Sequence, residues 1–243
     1  MIPVDSLLYK IDQRLNKLST NDHQQIQLED KILALNEAQL KLIKQKMDGT
    51  PTTSGMGMDA FKKRYEDLER LVEMWEDHPL QLTLTNSKLN KWTTPIQNIK
   101  PAYMFYADSY LLANKGRCKN HIIWINQDLA RHGDIPTLLK NEHYKPSFEF
   151  QETFNYISSD ELSVFTDGTF TPTTLYLSYV RYPLYIDKAG YKKFDGTDSV
   201  DQDCELNEYL EDELLDLTVQ NLAMYTENAP AVQSSQFRIQ TNE

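Results

Sequence analysis

The chain has 243 residues, 40% of them hydrophobic, and its 36 acidic and 25 basic side chains give a formal net charge of −11. That composition excludes intrinsic disorder, and no apolar run approaches the roughly 20 residues that a bilayer crossing needs. Phe194 to Phe237 contains no Lys or Arg, and its eleven acids carry the whole net charge; a neutral body with an acidic end lacks a duplex-binding protein's broad basic footprint, leaving only a local basic edge able to face DNA.

The opening MIPVDSLLYK lacks the basic-then-apolar pattern of a signal peptide, so folding in the cytoplasm is expected. Val4, Leu7, Leu8, Ile11, Leu15 and Leu18 form one stripe at helical spacing and predict a first helix with a single apolar face. It ends near Ser19-Thr20-Asn21-Asp22, where Asn21 and Gln24 resemble a capping box. A longer second helix runs to about Met47 and stops at Asp48-Gly49. This helix carries two apolar faces. Ile26, Leu33, Leu40 and Met47 recur every seven residues, while Leu28, Ile32, Leu35, Leu42 and Ile43 fall roughly opposite. One short partner helix cannot cover both, so the second face packs either on later elements of this chain or on a neighbouring copy.

The Gly-, Thr- and Pro-rich stretch 48–58 reads as a linker. A third helix is predicted over Asp59–Asp77, with Phe61, Tyr65, Leu68, Val72 and Trp75 on one face and His78-Pro79 ending it. From Leu80 to about Asp187 the period changes to two. Phe148, Phe150, Phe154 and Tyr156 alternate with polar residues as a half-buried strand, and Tyr103–Leu112, His121–Ile125 and Thr174–Tyr182 are further strands. Thr166-Asp167-Gly168-Thr169 predicts a strong hairpin turn, Asn114-Lys115-Gly116 a weaker one, and Gln127–Lys140 a helical interruption. The closing helix has the stripe Leu206, Leu210, Leu214, Leu217 and Leu222, with Asp203, Glu205 and Glu208 expected at its start, where the helix dipole favours negative charge. The fold class is therefore α+β: an N-terminal helical hairpin (1–47), a linker (48–58), a core domain of mainly antiparallel sheet or sandwich closed by a long helix (59–227), and an extended C-terminal arm (228–243).

No stretch supplies a catalytic constellation. Asp201, Asp203 and Glu205 alternate as in a calcium loop, but the sixth position holds Leu206 instead of glycine, so the acids are read as helix-capping and no metal is expected. Glu152, set among aromatics, is a conceivable general acid without a visible partner carboxylate. His121, His132 and His143 lack ligand spacing, the eight glycines form no phosphate loop, and the two cysteines, Cys118 and Cys204, form no framework. Catalytic, cofactor-binding and metal residues are accordingly expected to be none. Fourteen tyrosines favour use at protein interfaces.

Two segments carry a family resemblance: the hairpin LLYKIDQRLNKLSTNDHQQIQLEDKILALNEAQLKLIKQK, and YVRYPLYIDKAGYKKFDGTDSVDQDCELNEYLEDELLDLTVQNLA, with its Tyr179–Pro183 element, Gly190-Tyr191 loop and acidic Glu-Leu helix. Together they resemble the neck or tail-barrel ring proteins of crAss-like tailed bacteriophages and related Bacteroidota phages. The resemblance implies a non-enzymatic virion protein in a head-to-tail connector ring, usually twelve-fold, below the portal. Its expected partners are copies of itself, the portal or adjacent ring and tail proteins, and DNA crossing the lumen without specific binding; no membrane and no cofactor are implied. Contacts are expected through Ile26, Leu33 and Leu40 on the second helix and Tyr179, Arg181 and Tyr182 on the late strand, and the acidic segment is expected to line the lumen and repel DNA. The alternative is a glycan-binding or glycan-cleaving module using tyrosine platforms with Glu152.

Overall fold

The computed structural model describes residues 1–16, 26–48, 66–77, 79–97, 99–125, 130, 133–158, 160–193, 196–225, 233 and 236–238, without the side chains of Asn16, Asp48 and Trp75. Leu18, the Asn21/Gln24 capping box, the linker from Gly49 onward, Asp59–Tyr65 and His132 fall outside the described residues. The fold is α+β, and the chain divides into two compact units: Met1–Leu71 with Pro183–Glu243, and Val72–Tyr182. This division differs from the one expected. The hairpin does not stand apart from a 59–227 core, because the closing helix belongs with it and the sheets form a unit inserted between.

In the first unit, α1 (Val4–Asn16) and α2 (Leu28–Asp48) pack on the closing helix, α4 (Glu211–Tyr225). Leu214, Leu215, Leu217, Val219, Leu222 and Ala223 are all buried, so α4 is surrounded, as a helix that is apolar on most sides must be. Val4, Leu7, Ile11 and Leu15 of α1 are buried as their stripe predicts. Residues 66–68 are helical and tighten into a 3-10 turn, Glu69–Leu71. The predicted third helix goes no further, because Val72-Glu73 instead pairs as a strand with Val180 and Tyr179. In the C-terminal arm, residues 233 and 236–238 have helical backbone, not the extended conformation expected.

The second unit is a sandwich of two sheets. One contains β1 (Val72–Glu73), β2 (Pro79–Gln81), β5 (Tyr103–Lys115), β6 (Cys118–Ile125), β7 (Glu152–Thr153) and β10 (Thr171–Arg181) in the order β1-β10-β5-β6-β7, with β2 also on β10. The other contains β3 (Thr83–Asn86), β4 (Lys91–Pro95), β8 (Asn155–Ser158) and β9 (Glu161–Phe165) in the order β3-β4-β9-β8. All pairings are antiparallel except β6 with β7. Leu111, Ala113, Ile123, Ile125, Leu175, Leu177 and Tyr179 face Leu162 and Val164 across the core, each strand contributing every second residue. A short helix, α3 (Ile135–Lys140), covers Phe154, Tyr156 and Phe165 on the outer face of the smaller sheet. It is only six residues long and starts after the Gly133-Asp134 turn, later than the Gln127 expected.

Two turns invert their expected roles. The weaker signal, Asn114-Lys115-Gly116, is the true hairpin: Lys115 pairs with Cys118, and Gly116 takes φ +56°. Thr166–Thr169 has the right local chemistry, with Gly168 at φ +81° and Asp167 accepting from the Thr169 amide at 2.8 Å, yet it leads from β9 in one sheet to β10 in the other. A Cβ at Gly168 would lie 2.8 Å from Asn90 Nδ2, which reinforces the need for glycine. The predicted strand from Phe148 to Tyr156 is also broken. Residues 148–151 form a turn with Gln151 at φ +57°, closed by mutual backbone bonds between Ser147 and Glu152, and Phe150 is 77% exposed.

Candidate assembly cleft

The two apolar faces of α2 meet different fates. Ile32, Leu35, Leu42 and Ile43 are buried, helped by the small Ala34 and Ala38, which bring the helix close to its neighbours. On the other side Ile26, Leu40 and Met47 are half-buried and Leu33 is 43% exposed. Ile32 and Leu33 are adjacent in sequence, so the contrast between 0% and 43% exposure marks the boundary of what this unit can cover.

The segment after Pro183 lies along α2, anchored by one polar residue. Asn36, buried at 7%, accepts from the Ile186 amide at 2.8 Å and donates through Nδ2 to the Ile186 carbonyl at 2.8 Å. The side chain imitates a strand neighbour, satisfying both backbone groups of an arm that has no sheet to join. One residue further on, Asp187 is almost fully buried and receives the Tyr191 hydroxyl at 2.7 Å, the Lys188 amide at 2.9 Å, the Val200 amide at 3.1 Å and the Lys193 ammonium at 2.8 Å. Burial pushes the Asp187 carboxyl upward, but the bonds from Lys193, Tyr191 and the two amides outweigh it and hold the group below the usual carboxylate range. Tyr191 is displaced the other way, first by burial and then by its bond to Asp187. Because the folded state lowers the pKa of Asp187, its stabilisation is complete above the unfolded value near ~3.9 and is lost as pH falls through the folded value. The protection of the Lys188 and Val200 amides against exchange, relative to their intrinsic rates at the same pH, is therefore expected to fall below about pH 4. Asp187→Asn should make the same amides fast at neutral pH, costing about 2 kcal/mol, the order expected for hydrogen bonds to a charged group.

These anchors build a cleft of about 490 Å³ lined by Glu29, Asp30, Leu33, Tyr185, Tyr191, Lys192 and Lys193. Leu33 and Tyr185, 50% exposed, give it an apolar lining, and the Lys193 ammonium sits 5.8 Å from the Tyr185 ring centre. One wall carries the carboxylates of Glu29 and Asp30 and the other the ammonium groups of Lys192 and Lys193, the latter bonded to Asp187.

The other predicted contact residues lie in the sandwich unit. Tyr179 cannot serve as one: it is fully buried, its hydroxyl donates to the Pro101 carbonyl at 2.7 Å, and burial followed by the nearby Glu73 charge pushes its pKa up to about 12. Arg181 pairs with Glu73 at 3.0 Å, and Tyr182 is 50% exposed. The tyrosine platform of the glycan alternative takes the form of a cross-strand ladder. Tyr110 and Tyr176 stack with centroids 4.9 Å apart and planes 9° apart, and Trp124 follows at 6.0 Å. Face-to-face stacking spends one face of each tyrosine on the other, which leaves that face unable to stack on a sugar. Glu152, exposed on β7 beside Trp124, is not the buried acid its aromatic neighbours suggested.

The acidic segment is a bonding strap. Asp201 accepts from the Ala189 amide, Asp203 from the Val4 amide at the start of α1, and Glu205 from the Leu184 amide, all within 2.8–2.9 Å. The alternating acids thus turn to three separate backbone donors and do not converge as a calcium loop would. Asp203 and Glu205 precede a helix that starts only at Glu211, so they cap other parts of the chain and not α4. Within α4, Glu211 pairs with Lys10 at 2.6 Å, Glu213 with Lys46 at 2.8 Å, and Asp212 and Asp216 with Arg14. A free acidic wall facing a lumen is not what these side chains form.

No protein-family profile and no curated protein matches this chain. Among the described residues no helix is long and apolar enough to cross a membrane.

Proposed function

We propose that this protein is a non-enzymatic structural subunit of a tailed-phage virion that joins copies of itself into a ring of the head-to-tail connector or tail barrel, close to the portal. The observation that carries the reading is the exposed Leu33 beside Tyr185: an apolar patch on a rigid helix, framed by charges of both signs, that the surrounding unit leaves uncovered. A ring needs one surface on each subunit to receive a different surface of the next, and a cleft with opposite charges on its two walls orients such a head-to-tail contact. The resemblance of the hairpin and the 179–223 segment to connector ring proteins supports the virion setting, the neck or tail location, and the portal and adjacent rings as further neighbours. The glycan alternative draws less support, because Tyr110 and Tyr176 each spend one face on the other and Glu152 is exposed, without the burial that would raise a general acid for cleavage.

The test is the native mass of the purified protein, alone and mixed with portal-bearing particles, for wild type and Leu33→Asp. Leu33 is exposed, so the substitution should shift folding stability by no more than about 0.5 kcal/mol. Wild type is expected to form closed oligomers or bind the particles, and the variant to remain monomeric and unbound. Assembly of Leu33→Asp indistinguishable from wild type would refute the reading.

A further inference from the structure

Five basic side chains of the sandwich unit gather at one end of it. The antiparallel registers bring three turns to one end: 86–91 between β3 and β4, 115–119 at the tip of the β5–β6 hairpin, and 166–170 between β9 and β10. Their shared location follows from pairing, since Lys91 is opposite Phe165, Thr171 opposite Asn114, and Gly168 lies against Asn90. These turns carry Lys88, Lys91, Lys115, Arg117 and Lys119 against a single acid, Asp167, whose carboxylate takes the Thr169 amide and hydroxyl. Lys115 pairs with Glu149, and Lys91 donates to the Tyr156 hydroxyl at 2.8 Å. Lys88, Arg117 and Lys119 are exposed and have no carboxylate partner among the described residues.

We infer that this end of the sandwich contacts the phosphate backbone of duplex DNA, and that it, not the acidic segment, is the surface this protein turns toward the nucleic acid. The inference rests on the connector reading for its setting and on the turns for its chemistry. A protein partner would need an apolar centre ringed by polar groups, and here Leu89 is the one exposed large hydrophobe among the described residues of the three turns. The same turns also carry Asn86, Ser87, Asn90 and Thr169, with Asn120 next to Lys119, the side-chain types that accompany Lys and Arg at phosphates. The hairpin holds Arg117 and Lys119 on a paired strand and a tight turn, so little ordering is required on contact. No element here is shaped to read base edges. The contact is sequence-independent, weak for one copy and multiplied when copies surround a duplex.

The test is fluorescence anisotropy of a labelled DNA duplex titrated with the full chain at several salt concentrations, with native mass measured on the same samples. Three phosphate contacts predict a log–log salt slope of about −2.7 per copy, or roughly 40-fold weaker binding from 50 to 200 mM salt. The variant Lys88→Ala/Arg117→Ala/Lys119→Ala should lose this binding with its oligomeric state unchanged, while Lys41→Ala/Lys44→Ala, on exposed sites of α2, should retain it. Absence of wild-type binding at low salt, equal loss in both variants, or displacement of the duplex by an acidic peptide at equal concentration would overturn the inference. If wild type assembles but ignores DNA, the DNA contact alone falls. If wild type binds DNA through these three residues but neither assembles nor binds portal-bearing particles, the ring reading falls and the contact stands.

Discussion

Asn36→Leu is expected to destabilise the helical unit by about 3 kcal/mol, because it strands two buried backbone groups at once and each unsatisfied group costs on the order of 1–3 kcal/mol. The native side chain bonds both the amide and the carbonyl of Ile186, and Nδ2 also donates to the Ile32 carbonyl at 2.8 Å. Leucine matches the volume but can replace none of these bonds. The arm that carries Tyr185 and Tyr191 should detach from α2 first, so protease cleavage within 184–193 should appear well below the global melting temperature. Because Trp75, Trp92 and Trp124 all lie in the sandwich unit, chemical denaturation followed by far-ultraviolet circular dichroism gives the magnitude, and limited proteolysis gives the location. Unchanged stability and an uncut arm would mean that the Asn36–Ile186 bonds are not what holds the cleft together.

The second large effect is expected at Arg14. Its guanidinium reaches Asp212 and Asp216 on successive turns of α4, and Asp216 is 2% exposed with Arg238 3.7 Å away. Arg14→Ala leaves a buried carboxylate short of its closer counter-charge, a change that costs about 3 kcal/mol. Burial already holds the Asp216 pKa above the ordinary aspartate value, against the pull of Arg14 and Arg238. Loss of Arg14 raises it further. A folded-state pKa above the unfolded one means that the folded state binds the extra proton, so this group's penalty is greatest at neutral pH and shrinks as pH falls toward ~3.9. The stability deficit of Arg14→Ala relative to wild type should therefore narrow on acidification, and Arg14→Ala/Asp216→Leu should recover most of it at pH 7. A pH-independent deficit, or no rescue, would remove the buried-charge explanation.

Both predictions concern contacts between residues far apart in the chain, which is where sequence reading stopped. Helix existence was legible: the stripes Val4–Leu15 and Leu214–Leu222 are buried, and the seven-residue spacing of Ile26, Leu33 and Leu40 marked the face that stays partly open. Local periodicity reports such faces directly. It does not report which strand parity faces a core, so Tyr179 and Tyr182 read alike in the sequence although Tyr182 alone of the two reaches the surface. Nor does it report partners. The Val4 amide meets Asp203 across 199 residues, and Val72 leaves helical periodicity to pair with Val180. The first contact also bears on the acidic run: its residues are typical of a solvated helix start, but Asp203 bonds the start of α1, and the bases of Glu211, Asp212 and Glu213 lie on α1 and α2. The polar Asn36, four residues after Ile32 in an apolar stripe, was the one available signal of the arm's anchor. Gly190-Tyr191 pointed to the right loop without revealing that Asp187 organises it.

An electron cryomicroscopy map of the assembled particle tests the central claim most directly, because it shows what covers Leu33. The account predicts side chains of a neighbouring copy packed on Leu33 and Tyr185, repeating around a closed ring. Leu33 facing solvent in every copy, or covered only by its own chain, would contradict it.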